Sequence, residues 1–237
     1  MAVFQNRPMR CNLVPSPNEV PESIMGDHGR KAFTAAALAA VAFAATPAPA
    51  ASFDCAKATS RTERLICSDA ALGARDEILS KLYVAALREE PKGPIKASQR
   101  EWLAKAGACG TTACLGDAYD ERIETLLRTK GGNGAATHFF TEEPKGNSGT
   151  LDVVGPVHGF AYVSLVSTYV GPGGVDNGDV NTSGTGGFLD LRRGKAEFTD
   201  RGCTVTVHPE SRDAWQVDQR GTCDLSSGTG YAGTYRP

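Results

Sequence analysis

Residues 52–72 read SFDCAKATSRTERLICSDAAL, and the work done by Cys55 and Cys67 in this stretch decides the fold. They can be metal ligands, a redox pair or a disulfide staple. Compartment separates these readings, and the compartment is written upstream. Residues 30–51, RKAFTAAALAAVAFAATPAPAA, open on Arg30 and Lys31, run apolar from Ala32 to Ala45, and end on the small-x-small pattern Ala48-Pro49-Ala50. An apolar run of about 14 residues is too short to span a bilayer and has the shape of a secretory signal peptide. Residues 1–24 carry prolines and no apolar periodicity, and Met25 lies just before the basic start, so residues 1–24 are expected to be either a misassigned start, with Met25 the natural one, or a disordered segment. The leader is expected over 1–51, with the signal peptide at about 30–51. No lipobox precedes Cys55, so the expectation is a soluble periplasmic or secreted protein with no transmembrane span in its mature chain.

Export changes the cysteine arithmetic. Of seven cysteines, Cys11 falls in the leader, leaving Cys55, Cys67, Cys109, Cys114, Cys203 and Cys223. An even number in an oxidising compartment reads as a disulfide framework. Local bridges Cys55–Cys67 and Cys109–Cys114 each tie a loop to a helix end and are preferred; long-range pairing of the first two cysteines with the last two is the alternative. Zinc is disfavoured because the gaps are not the short knuckle pairs of tetrahedral sites. A redox pair is disfavoured because there is no Cys-x-x-Cys near a βαβ pattern.

From Asp69 onward the apolar spacing is helical. Leu72, Leu79, Leu82, Tyr83, Ala86 and Leu87 form one stripe; Ile95, Gln99, Trp102, Leu103 and Ala106 form a second. Leu115, Ala118, Tyr119, Arg122, Ile123, Leu126 and Leu127 form a third. Three stripes need each other to be buried, so residues 52–128 read as a small disulfide-stapled α-helical bundle. At about 75 residues such a core is marginal without staples. Residues 129–136, TKGGNGAA, read as a flexible glycine-rich linker. Beyond it the composition turns to Val, Thr, Tyr, Phe and Gly in alternating runs, predicting an antiparallel β-sandwich or barrel of six to eight strands over 137–237. Cys203 and Cys223 are expected to bridge strands of that part. The fold class is thus α + β in two domains.

Chemistry is sparse. After removal of the leader, 21 basic residues face 24 acidic ones, a net charge of −3, and no basic stripe with interleaved aromatics suggests nucleic acid. His138, His158 and His208 lie outside any nucleophile-elbow motif, and nothing calls for a cofactor. Residues 179–190, DVNTSGTGGFLD, place Asp179, Asn181, Ser183 and Asp190 at calcium-loop positions, but with glycine where the template wants an apolar residue and with strand-like flanks. The segment therefore reads first as a loop between strands, with calcium as the alternative.

The ordered set Phe53-Asp54-Cys55, Glu63, Ile66-Cys67, Leu72, Asp76, Leu79, Tyr83, Gln99-Arg100, Trp102-Leu103, Cys109, Cys114-Leu115, Tyr119 and Arg122-Ile123 resembles the LprI-type lysozyme inhibitor N-terminal domain of bacterial envelope proteins, over about residues 53–127. Two positions depart from the pattern. Arg75 stands where a leucine is expected, and would expose or bend that helix stripe; Ala106 stands where an arginine is frequent. The resemblance implies an exported protein without catalytic activity, some of whose relatives inhibit lysozyme. A stapled loop Gly110-Thr111-Thr112-Ala113 would be rigid, lose little entropy on docking and fit a cleft, making a lysozyme-type glycosidase the expected partner; otherwise it only ends a helix. The β-rich part resembles no known family, and an envelope module recognising a glycan, lipid or calcium through it is the alternative function.

Overall fold

The computed structural model describes residues 51–237 apart from residues 92, 144–146 and 201. Of the expected leader, residues 1–50 lie outside this range.

The helices form where caps and apolar spacing agree. Helix α1 (Arg61–Ser68) starts at a capping box: Ser60 accepts from the Glu63 amide, while Glu63 reaches back to the Ser60 amide. Helix α2 (Ala70–Glu89) is capped by Asp69, whose carboxylate accepts from the amides of Ala71 and Leu72. Helix α3 (Ile95–Gly107) follows Pro94, and α4 (Thr112–Leu127) is capped by Thr111. The pattern Ser60-x-x-Glu63 marks the start of α1 in the sequence, although α1 is not one of the three expected stripes.

The three stripes meet in one core. Leu72, Ile78, Leu82, Leu115, Ile123 and Leu126 are fully or almost fully buried, and Trp102 packs edge-on to Tyr119. Leu103 is the exception. It is 55% exposed and does not share the buried face of Gln99, Trp102 and Ala106. Polar groups inside this core are paired. The Trp102 indole donates to the Ala118 carbonyl at 2.8 Å. Arg122, 5% exposed, donates to the Gln99 side chain at 2.8 Å and to the Ser98 hydroxyl at 3.2 Å, and burial lowers its affinity for the proton.

Residues 129–136 do not form the expected flexible linker. Thr129 caps a short helix α5 (Lys130–Asn133) that packs against α2 and α4. Its glycines serve close approach. A Cβ on Gly131 would stand 2.2 Å from the Ala85 carbonyl oxygen, and one on Gly132 would stand 1.9 Å from that of Leu126. Helices and strands consequently belong to one packed unit.

The remaining chain forms two four-stranded antiparallel sheets. The first holds β1 (Thr137–Glu143), β2 (Asn147–Val157), β3 (Phe160–Val170) and β4 (Val180–Asp190) in chain order. The second holds β5 (Ala196–Asp200), β6 (Cys203–Ser211), β7 (Ala214–Gly221) and β8 (Gly233–Tyr235), also in chain order. Alternation sends Leu151, Val163 and Leu165 of the first sheet and Val205, Val207 and Val217 of the second into a shared core, with Trp215 and Tyr235. A bridge between Phe140 and Arg236 links β1 to the end of the chain.

The outer face of the first sheet carries Val154 and Tyr162 into the helical core, where burial pushes the Tyr162 phenol up. The helices therefore cover one end of that face. Three disulfides, Cys55–Cys67, Cys109–Cys114 and Cys203–Cys223, complete the frame, all three pairings being local.

Candidate functional site

The stapled segment expected from the sequence is built as a helix corner. Helix α3 ends at Gly107, Cys109 is buried at 6% exposure, and Cys114 lies in the first turn of α4, so the Cys109–Cys114 bridge fastens one helix end to the next helix start. Thr111 is the N-cap, its hydroxyl accepting from the Cys114 amide at 3.2 Å, so Thr112 and Ala113 are helical residues rather than loop residues. Arg61 of α1 donates to the Gly110 carbonyl at 2.7 Å and ties the corner to the rest of the fold. Gly110, Thr111, Thr112 and Ala113 are all exposed, and exposed Leu103 lies one turn back along α3. The segment holds no ionisable side chain. Its chemistry is that of a rigid, neutral contact surface.

The calcium-loop residues are not brought together. Val180–Asp190 is continuous strand, paired residue for residue with β3, so an 11-residue span separates the two ends. At ~3.3 Å per residue those ends stand roughly 30 Å apart, whereas a loop ligating one cation must fold its oxygens to within a few ångströms of it. Three of the four have partners of their own instead: Asp179 accepts from the Gly173 amide, Ser183 meets the Thr229 hydroxyl, and Asp190 is paired to Arg192. Among the described residues no group of three or more His, Cys, Asp or Glu side chains is placed to hold a metal.

The histidines are spread over separate elements. His138 Nδ1 lies 2.7 Å from Asp152 across the β1–β2 pair, and His158 Nε2 lies 2.8 Å from Glu77, linking the β2–β3 turn to α2. The other ring nitrogen of each makes no hydrogen bond to a Ser, Thr or Cys among the described residues, so neither pair is extended by a nucleophile. A cavity of about 10 Å³ beside Thr185, Asp200, Cys203 and Leu225 is far smaller than the usual range for a ligand pocket, about 300–1,000 Å³.

Sequence reasoning missed a cluster where α2, α4 and β4 meet. Arg75 forms a two-pronged pair with Asp120, Nε to Oδ1 at 2.7 Å and Nη2 to Oδ2 at 3.0 Å, while its guanidinium stacks on Phe188. Burial raises the Asp120 carboxyl above its ordinary value, an effect that Arg75 opposes and Asp117 reinforces. The expected exposure of the α2 stripe does not occur: the Arg75 side chain is 16% exposed and held in the contact with the sheet. The signal was Arg75 itself, the one position at odds with its stripe. Compared with known protein families, curated protein sequences and solved structures, the chain gives no match.

Proposed function

We propose that the chain is an exported envelope protein that works by binding, with a lysozyme-type glycosidase as its partner. In this reading residues 52–128 are an LprI-like bundle and residues 137–237 a β-sandwich joined to it. The observation that carries it is the α3–α4 corner. A bridge, an N-cap and the Arg61–Gly110 bond hold an exposed surface in one conformation. A surface already ordered loses little conformational entropy on docking into a cleft. The three disulfides accord with an oxidising compartment, and no helix among the described residues is long and apolar enough to cross a membrane.

The test is lysozyme turnover of a cell-wall suspension, with the oxidised chain 52–237 titrated in. Dose-dependent inhibition that disappears in the Cys109→Ser/Cys114→Ser variant, with the fold retained, is the expected result. Absence of inhibition at large molar excess over c-type, g-type and i-type lysozymes removes the proposal.

A second reading has its own observation. Phe140, 52% exposed, and Val166, 38% exposed, lie in one cross-strand row through Thr150 on the outer face of the first sheet. That row would serve recognition of a glycan or lipid by the β-rich part. Loss of glycan or vesicle binding in a Phe140→Ser/Val166→Ser variant of the full chain would favour it.

A further inference from the structure

Beside the exposed row Phe140–Thr150–Val166 runs a second cross-strand row on the same face, His138–Asp152–Ser164, since residues two apart on a strand share a face. It lies between that exposed row and the row Val154–Tyr162, which enters the helical core. His138 Nδ1 meets Asp152 Oδ1 at 2.7 Å. A carboxylate only accepts, so Nδ1 donates this bond, and in the neutral ring Nε2 is left as an acceptor. Asp152 Oδ2 is a second acceptor. Neither atom has a hydrogen-bond partner among the described residues, and neither is sealed from solvent. The hydroxyls of Thr150 and Ser164 are open in the same way. On β4 the partners of Ser164 and Val166 are Gly186 and Gly184, so the two rows carry no side chain at that edge.

We propose that the His138–Asp152 pair and Phe140 form a binding site for a neutral saccharide. Vicinal sugar hydroxyls donate to His138 Nε2 and Asp152 Oδ2, and the C–H face of the sugar lies on the phenyl face of Phe140, about 7 Å along the strand from His138. The proposal rests on the second reading above and decides between its two ligands. A lipid chain would cover both acceptors and supply no donor, a penalty comparable to what contact with Phe140 and Val166 contributes. An anionic headgroup would meet acceptors of its own kind. A cationic side chain is the lesser match, because a guanidinium fork needs both carboxylate oxygens and Oδ1 is already held by His138. A sugar supplies hydroxyl donors and an apolar face within one ring, which is the complement of this surface.

The probes are chitotetraose, cellotetraose and maltotetraose, each titrated into the oxidised chain 52–237 while the His138 and Phe140 ring signals are followed by NMR. At least one is expected to shift both sets of signals saturably. Asp152→Asn keeps an oxygen for Nδ1 but puts an amide donor in place of Oδ2, and should weaken that binding about tenfold. Phe140→Leu keeps an apolar side chain without the flat ring, and should weaken it about fivefold. Phe140 is 52% exposed, so this variant tests the site even if Asp152→Asn does not fold. Phosphatidylcholine vesicles form the second arm. Vesicle binding with no saccharide shift overturns the saccharide site and leaves the second reading standing, whereas no binding of either overturns both. Saccharide binding that neither variant weakens overturns the assignment of these residues. A tetra-arginine peptide that shifts the same signals where the saccharides do not overturns the proposal in favour of a cationic partner.

Discussion

The guanidinium carbon of Arg75 lies 3.7 Å from the centre of the Phe188 ring, so a residue of α2 is stacked on a residue of β4. The same side chain is forked onto Asp120 of α4. One arginine thus joins two helices to the sheet, and it occupies the position where the family resemblance leads to the expectation of leucine. Leucine would extend the apolar stripe but leave a half-buried carboxylate without its cation.

Arg75→Leu is expected to destabilise the protein by about 2–4 kcal/mol, because removing one partner of a sheltered pair costs more than the pair contributes. Asp120 keeps 29% of its side-chain exposure, which holds the cost below that of full burial. Arg75→Lys should recover only part, since an ammonium has neither the fork nor the flat face. Chemical denaturation of the two variants and of Arg75→Leu/Asp120→Asn checks this, with the double variant expected to be more stable than Arg75→Leu alone.

Glycines in the short helix α5 make the opposite prediction to a glycine at the end of α3. Alanine at Gly131 or Gly132 would drive a Cβ to 2.2 or 1.9 Å from a backbone oxygen, and backbone cannot turn aside as a side chain can. Each substitution is expected to cost ~3 kcal/mol or more. A Cβ added to Gly107 would meet nothing within 4 Å, and Gly107→Ala is expected to stabilise by about 0.5–1 kcal/mol by restricting the unfolded chain. Thermal melts of the three variants rank them; a neutral Gly132→Ala would mean that α5 does not sit against Leu126.

The same glycines show why part of the fold was illegible in the sequence. Stripes at helical spacing reveal α2, α3 and α4 because burial of one face leaves a local, periodic trace. Lys130–Asn133 leaves none. Its helix exists because glycine lets it approach Ala85 and Leu126, a tertiary cause that local propensity opposes. Residues 180–186 look like a loop for a related reason. Their inward positions are Ser183 and Thr185, small polar residues that pair with Thr229 and Asp200 instead of packing as apolar side chains. The calcium-loop spacing at 179–190 arose from that polar strand. In the candidate site, the cysteines marked the α3–α4 corner, but the Arg61–Gly110 bond spans 49 residues and has no local trace.

The three bridges should differ in worth by loop length. Separations of 5, 12 and 20 residues correspond in the chain-entropy account to about 2, 3 and 3 kcal/mol. Replacing Cys109 and Cys114 with serine is therefore expected to cost least, leaving a folded protein in which the corner alone is loosened. Denaturation midpoints of the three paired-serine variants test the order. If the Cys109/Cys114 variant unfolds, the corner is a structural requirement, and its loss of inhibition could no longer be read as loss of a contact surface.

Asp190 and Arg192 provide a pH prediction whose sign follows from their geometry. Arg192 donates through Nε to Oδ1 at 2.8 Å and through Nη2 to Oδ2 at 2.5 Å, and its backbone amide also meets Oδ1 at 3.1 Å. These donors favour the ionised carboxylate and bring the Asp190 pKa down to about 2. A carboxyl depressed in the folded state binds its proton more readily when the chain unfolds. The stability it contributes is therefore in place above the ordinary aspartate value of 3.8 and is lost as pH falls through about 2. Carboxyl-carbon NMR should show Asp190 titrating near that lower value. In Arg192→Ala the midpoint should rise towards 3.8, because the strongest donors have gone. An unchanged midpoint in that variant would show that the backbone amide alone holds the charge. Because both side chains are about half exposed, added salt should shift the native midpoint upward as well.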